Sequence, residues 1–168
     1  MIKNSNNFEN FVRAYNGLSC SVACVLSICY DNGILKKESE TDEKIVTNSK
    51  YLEYFPHWIL KPGELNEAQI MKLAEVLKLA PQNKSELITN VSEEYIRKKF
   101  QEKNTIGILI LTQKNEKKEA GKHCFKLSNI VNDEFCLMNP STNDKNQIVK
   151  YKWKEIALFE ASSIIFKI

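Results

Sequence analysis

The chain has 168 residues, 43% hydrophobic and 27% charged, a globular mixture long enough for a single domain with a substantial core, here taken as residues 1–168. Its 24 basic and 21 acidic residues leave a net charge of +3. That balance is too mild, and the lysines too scattered among glutamates, to suggest a nucleic-acid-binding surface.

The first residues, from Met1 to Asn7, are polar and no apolar stretch follows them, so no secretory signal is expected. The longest apolar runs, residues 22–29 and 106–111, are too short to cross a bilayer. The expectation is a cytoplasmic protein without membrane insertion, with non-classical export or delivery as an effector left open.

The first strong element spans residues 20–30. Val22, Ala23, Cys24, Val25, Leu26, Ile28 and Cys29 are apolar nearly all round, which marks a buried helix. Gly17 precedes it, Ser19 is placed to cap it, and Asn32-Gly33 ends it. Residues 36–50 are the most polar and suit a surface helix or loop. Residues 51–66 carry an aromatic cluster that suits either a cleft wall or core packing.

Residues 65–79 form an amphipathic helix, with Asn66 and Gln69 as a capping box and Ile70, Leu73, Ala74 and Leu77 at helical spacing. Pro62-Gly63 and Pro81 bound it. A second helix is predicted over residues 92–103, with Tyr95, Ile96, Lys99 and Phe100 along one side. The character then changes to strand. Residues 105–112 (TIGILILT) suit a central strand buried on both faces. Residues 123–131 and 134–138 form a hairpin about Asn132-Asp133. A short helix around residues 153–159 leads into an apolar strand over residues 162–168. Helices first and an antiparallel sheet after them make an α+β arrangement.

Five cysteines are present: Cys20, Cys24, Cys29, Cys124 and Cys136. An odd number without a secretory signal argues against a disulfide framework, so each is a core residue, a metal ligand or a nucleophile. Cys20 stands at the first turn of the buried helix. There, unpaired backbone N–H groups and the helix dipole favour a thiolate and can hold an oxyanion. Cys24 lies one turn further on, as a resolving thiol or as a metal ligand with Cys20, His123 and Cys124. The tight C-x-x-C or H-x-x-x-H pairs of zinc sites are missing, so neither metal nor cofactor is expected. Cys29 and Cys136 fall in apolar patterns and suit the core, as does Cys124, which should point away from the His123 face.

A thiol nucleophile needs a base, and the chain has two histidines. His57 lies among aromatics in an apparent loop. His123 opens a strand after Ala120-Gly121-Lys122, where an imidazole can be both exposed and rigidly held. Asn139, before Pro140, returns across the hairpin to His123. Its side-chain oxygen is expected to accept the Nδ1–H and leave Nε2 facing the thiol. The residue types and their order make Cys20, His123 and Asn139 a candidate catalytic triad.

These residues resemble the papain-like cysteine peptidase clan, most nearly the bacteriocin-leader (double-glycine) peptidases and their standalone relatives. The nucleophile helix of that group, roughly C-G-x-A and then apolar residues, is similar to Cys20-Ser21-Val22-Ala23. Its histidine strand and later D-P are similar to His123-Cys124-Phe125 and Asn139-Pro140. The aliphatic strand before the histidine and Trp153 after the third residue also fit. The resemblance implies a papain-like fold, a buried nucleophile helix packed on a C-terminal sheet, and hydrolysis of an amide bond through a thioacyl intermediate. It implies a peptide or protein substrate and leaves room for an inhibitor or immunity protein as partner. The chain departs from the pattern at Ser21, where the family has Gly, and at Ala14, where it has the oxyanion-hole glutamine. Asn16 is the nearest amide that could replace that glutamine. With that donor in doubt, a papain-fold glutamine deamidase, transglutaminase-like enzyme or amidase toxin, or a non-catalytic peptide-binding module, stays open beside the peptidase.

Overall fold

The computed structural model describes residues 20–34, 66–81, 84–114, 122–140 and 148–168. Gly17, Ser19 and Pro62-Gly63, with the segments 36–50 and 51–65, lie outside the described residues, as do Ala14, Asn16 and His57.

Helix α1, Cys20–Asp31, is buried from Cys20 through Tyr30. Twelve residues make a marginal helix in water, so packing holds it: Val22, Val25, Leu26 and Ile28 each contribute about 1.5–3 kcal/mol on burial. It ends where Asn32-Gly33 predicts. Gly33 takes a φ of 69°, and the Ile34 N–H reaches back to the Cys29 carbonyl, closing the last turn. Helix α2, Glu67–Val76, carries the expected capping box. The Asn66 side chain accepts from the Gln69 N–H, and the Gln69 side chain accepts from the Asn66 N–H. It stops short of residue 79 because Lys78 turns left-handed at φ 60°.

Strand β1, Ser85–Ile88, comes next, before helix α3, Glu93–Gln101, which Ser92 caps through the Tyr95 N–H. The order is therefore not helices first and strands after. Ser85–Ile88 is a half-exposed edge strand that lacks the apolar run by which the others announce themselves. Strands β2 (Thr105–Gln113), β3 (Lys122–Val131), β4 (Glu134–Met138) and β5 (Ile148–Lys152) follow. Helix α4 (Trp153–Ile156) and strand β6 (Phe159–Lys167) complete the described elements.

The six strands form one antiparallel sheet in the order β1-β6-β2-β3-β4-β5, giving a mixed α/β architecture with four helices among the described residues. Both faces are covered. On one, α1 and α2 pack over Ile106, Ile108, Ile110, Cys124, Ile164 and Phe166. On the other, Ile96 of α3 and Ile156 of α4 pack with Leu109, Leu111, Phe125, Leu127 and Phe135. The alternate residues of β2 thus feed two cores, as its unbroken aliphatic run requires. The β3–β4 hairpin turns at Asn132, φ 55°, and one extra residue at Ser128 shifts the register between Leu127 and Asn129. That shift lets Ile130 join Leu127 on the same face.

No helix of the described residues is long and apolar enough to cross a membrane.

Candidate active site

The site lies where β3 and β4 part company. Pairing between them ends at Lys126↔Met138, so no β4 residue faces Cys124. Helix α1 fills that place. The Cys124 N–H donates to Cys20 Sγ at 3.3 Å, and the Cys124 carbonyl accepts from Cys24 Sγ at 3.6 Å. The N–H and C=O of one strand residue point to the same side, so two thiols one helical turn apart satisfy both. The start of α1 is thereby fixed against the strand that carries His123.

A second tie fixes it further down. Ser27 Oγ, fully buried, accepts from Lys126 Nζ at 3.2 Å and donates to Met138 Sδ at 3.4 Å. Lys126 also pairs with Asp31 at the end of α1. Lys126 shares β3 with His123, and Met138 directly precedes Asn139. One serine therefore sets α1 against both strands that bring in the other two site residues. Burial pushes the Lys126 ammonium down to about 8.

His123 lies on the opposite face of β3 from Cys124, at the strand's first turn into the sheet, and its imidazole is half-buried. Phe125, two residues on and on the same face, meets the ring edge-on with centroids 4.5 Å apart. His123 Nε2 lies 2.7 Å from Asn139 Oδ1. An amide oxygen only accepts, so Nε2 carries the proton and donates it to Asn139. This reverses the expected use of the two nitrogens: Asn139 holds Nε2, and Nδ1 is left for the thiol. The reason is local. Cys20 sits against the backbone N–H of the residue next to His123, and Nδ1 is the ring nitrogen nearer the backbone.

Cys20 is 8% exposed, and its thiol is lowered from 9.0 to about 4. The largest cause is a hydrogen bond from the Cys124 thiol, opposed by burial and reinforced by the His123 side chain and the Cys124 N–H. The other helix thiols go the other way. Burial raises Cys24 well above the ordinary value, with the nearby Cys20 charge adding to it, and pushes Cys29 up to about 12. The α1 thiols therefore divide into one poised as thiolate and two held protonated.

The structure brings His123 and Asn139 to 2.7 Å and sets Cys20 against the backbone of Cys124, the residue next to His123. Asn16, the proposed oxyanion donor, lies outside the described residues. What the sequence reading missed is Cys124. It does point away from the His123 face, but that direction leads to Cys20 rather than into inert core. The signal was available: alternation along β3 puts residue 124 on the helix-covered face.

Beside His123 opens a cleft of about 490 Å³, lined by Leu111, Phe125, Tyr151, Ile156, Leu158 and Phe159, with Lys122 and Glu155 also on its wall. Leu158 on that wall is 71% exposed. Lys122 also pairs with Glu67 at the start of α2, at 3.2 Å. Among the described residues no three His, Cys, Asp or Glu side chains are grouped as a metal ion would require.

No protein-family model matches the chain, and a search of curated proteins finds no similar sequence.

Proposed function

We propose that this protein is a papain-like cysteine hydrolase, similar to the bacteriocin-leader peptidases, that cleaves an amide bond of a peptide or protein. The observation that carries the reading is the placement of Cys20 against the Cys124 N–H at 3.3 Å, next to His123, whose far nitrogen is held by Asn139 at 2.7 Å; these surroundings lower the Cys20 thiol to about 4. A buried structural cysteine has no use for that environment; a nucleophile does.

In this reading the Cys20 thiolate attacks the carbonyl carbon, and the developing oxyanion is met by backbone N–H groups at the start of α1. His123 gives the Nδ1 proton to the departing amine, leaving a thioacyl enzyme. It then takes a proton from water as hydroxide attacks and keeps it on Nδ1 while the acid leaves, so that the Cys20 thiolate beside a protonated imidazole is restored. Asn139 keeps the imidazole from rotating throughout, as the accepting member of the triad.

The cleft beside His123 favours backbone cleavage over side-chain deamidation. The proton donor stands on the leaving-group side of the bond, so the cleft in its wall receives the leaving group. Ammonia, the leaving group of a deamidation, gives a space of about 490 Å³ nothing to hold, whereas an apolar residue fills part of it. The test is incubation of the protein and its Cys20→Ala variant with a mixed peptide library, followed by mass spectrometry. New termini that precede apolar or aromatic residues, absent with the variant, support the reading. Intact peptides carrying the small mass gain of an amide-to-acid change point instead to a deamidase. No change in either reaction refutes both.

A further inference from the structure

Three thiols meet at the head of α1, and the hydrolytic reading uses one. Cys20 receives both the backbone N–H of Cys124, at 3.3 Å, and a hydrogen bond from the Cys124 thiol. The two residues are 104 positions apart in sequence, so the fold alone creates this contact. Both side chains are nearly covered, at 8% and 5% exposure, and both belong to the same core cluster. All five cysteines are free thiols.

We propose that Cys20 is a peroxide-oxidation site and that Cys124 is its resolving partner, so that oxidation ends in a reversible Cys20–Cys124 disulfide. In the first step the Cys20 thiolate attacks one oxygen of hydrogen peroxide. The O–O bond breaks, hydroxide leaves, and Cys20 becomes a sulfenic acid, oxidised by two electrons as the peroxide is reduced. In the second step the Cys124 sulfur attacks the sulfenyl sulfur. The S–O bond breaks, and the hydroxide leaves as water with the Cys124 thiol proton. An external dithiol reverses the result by thiol–disulfide exchange.

Cys124 rather than Cys24 is assigned the resolving role on geometry. Cys20 and Cys24 lie one turn apart on a continuous helix, where Cβ atoms stand about 5–6 Å apart, against the roughly 3.8 Å that a disulfide needs. Bridging them would unwind the first turn of α1. The Cys24 thiol is moreover committed to the Cys124 carbonyl. Cys124 approaches from a separate element, with its backbone N–H 3.3 Å from the Cys20 sulfur and its side chain in the same core cluster. A third candidate, Cys29, is two and a half turns along the helix and out of reach.

The bridge would shut the site without destroying it, because a disulfide can be reduced while a sulfinic acid cannot. It requires an activated thiolate but no hydrolase activity, so the two readings can fail separately.

The experiment uses the full chain with hydrogen peroxide alone, followed by blocking of remaining thiols and peptide mapping by mass spectrometry. Expected is the loss of two hydrogens, a cross-linked pair of peptides holding Cys20 and Cys124, and full return of Cys20 alkylation after dithiothreitol. Cys124→Ser keeps a hydrogen-bond donor but has no thiol, so in that variant Cys20 should pass to the sulfinic acid and not return. Cys24→Ser should still form the bridge. A Cys20–Cys24 link, or wild-type Cys20 overoxidised while Cys124 stays reduced, overturns the inference. A bridge in a protein that cleaves no peptide leaves it standing and removes only the hydrolase.

Discussion

Lowering the pH should separate Cys20 from every ordinary thiol, and the size of the effect follows from its surroundings. At about pH 5, a thiol of the ordinary value 9.0 is ionised to roughly one part in ten thousand, whereas one at about 4 is roughly nine-tenths thiolate. The reactive population therefore favours Cys20 by about four orders of magnitude. A more acidic thiolate is a weaker nucleophile. With a Brønsted slope of about 0.4–0.5, the drop from 9.0 to about 4 returns roughly two to two and a half of those orders. The net advantage is about 30- to 90-fold at pH 5 and vanishes near pH 7. A comparison made only at neutral pH would miss it. Short pulses of iodoacetamide from about pH 4 to 8, with mass mapping of each cysteine and a small thiol as comparator, measure it directly. The Cys20 rate should be level above about pH 5 and fall by half near pH 4, while the comparator rises about tenfold per pH unit. A Cys20 rate that also climbs tenfold per unit between about pH 6 and 8 would refute the reasoning, since the thiol would then be an ordinary one.

Replacing His123 by Ala should move the acid limb of that profile upward without restoring 9.0, because the larger contribution, from the Cys124 thiol, remains; an unmoved limb would show that the imidazole does not touch the sulfur. Asn139→Ala should leave the profile's plateau but release the Nε2 proton, visible as a change of tautomer in imidazole ¹⁵N spectra, while Asn139→Asp keeps the acceptor and the tautomer. Asp31→Ala leaves the buried Lys126 ammonium uncompensated and should cost about 3–5 kcal/mol in urea unfolding. That lysine is already depressed to about 8, and losing Asp31 lowers it further, so only the wild-type fold still holds the proton just below 8; the deficit of the variant should shrink as pH rises toward 8 and level off above it. An undiminished deficit at pH 10 would place the cost elsewhere. Replacing the pair together, Asp31→Leu with Lys126→Met, should recover most of the loss, because apolar side chains of like volume remove both charges at once.

The elements that could be read in the sequence are those whose burial is written continuously along the chain. Cys20–Asp31 is apolar all round and Thr105–Gln113 is aliphatic on both faces, so each declares itself without reference to a neighbour. Asn66 with Gln69, and Asn32 with Gly33, are local chemistry and were legible for that reason. Ser85–Ile88 and Ile148–Lys152 were not, because they form the two edges of the sheet and are partly exposed. An edge strand with Glu86 or Lys150 in its middle has no pattern of its own and exists only because a partner offers hydrogen bonds. That Cys20, His123 and Asn139 are neighbours was legible as residue types in order. The orientation of the His123 ring was not, since which nitrogen meets Asn139 depends on where α1 enters the fork between β3 and β4. The role of Cys124 needed the same three-dimensional fact.

Strand β6 lies inside the sheet, between β1 and β2, yet it is the last described strand to leave the ribosome. Until residues 159–167 are made, β2 has an open edge and the sheet against which α1 docks is cut in two. The donors that lower the Cys20 thiol come from a strand 104 residues away, and α1 packs in one cluster with Ile164 and Phe166 of β6 as well. Contacts of such long sequence separation form late and slowly. A nascent chain therefore carries Cys20 without the contacts that lower its thiol at least until Cys124 has been made and β3 has met α1.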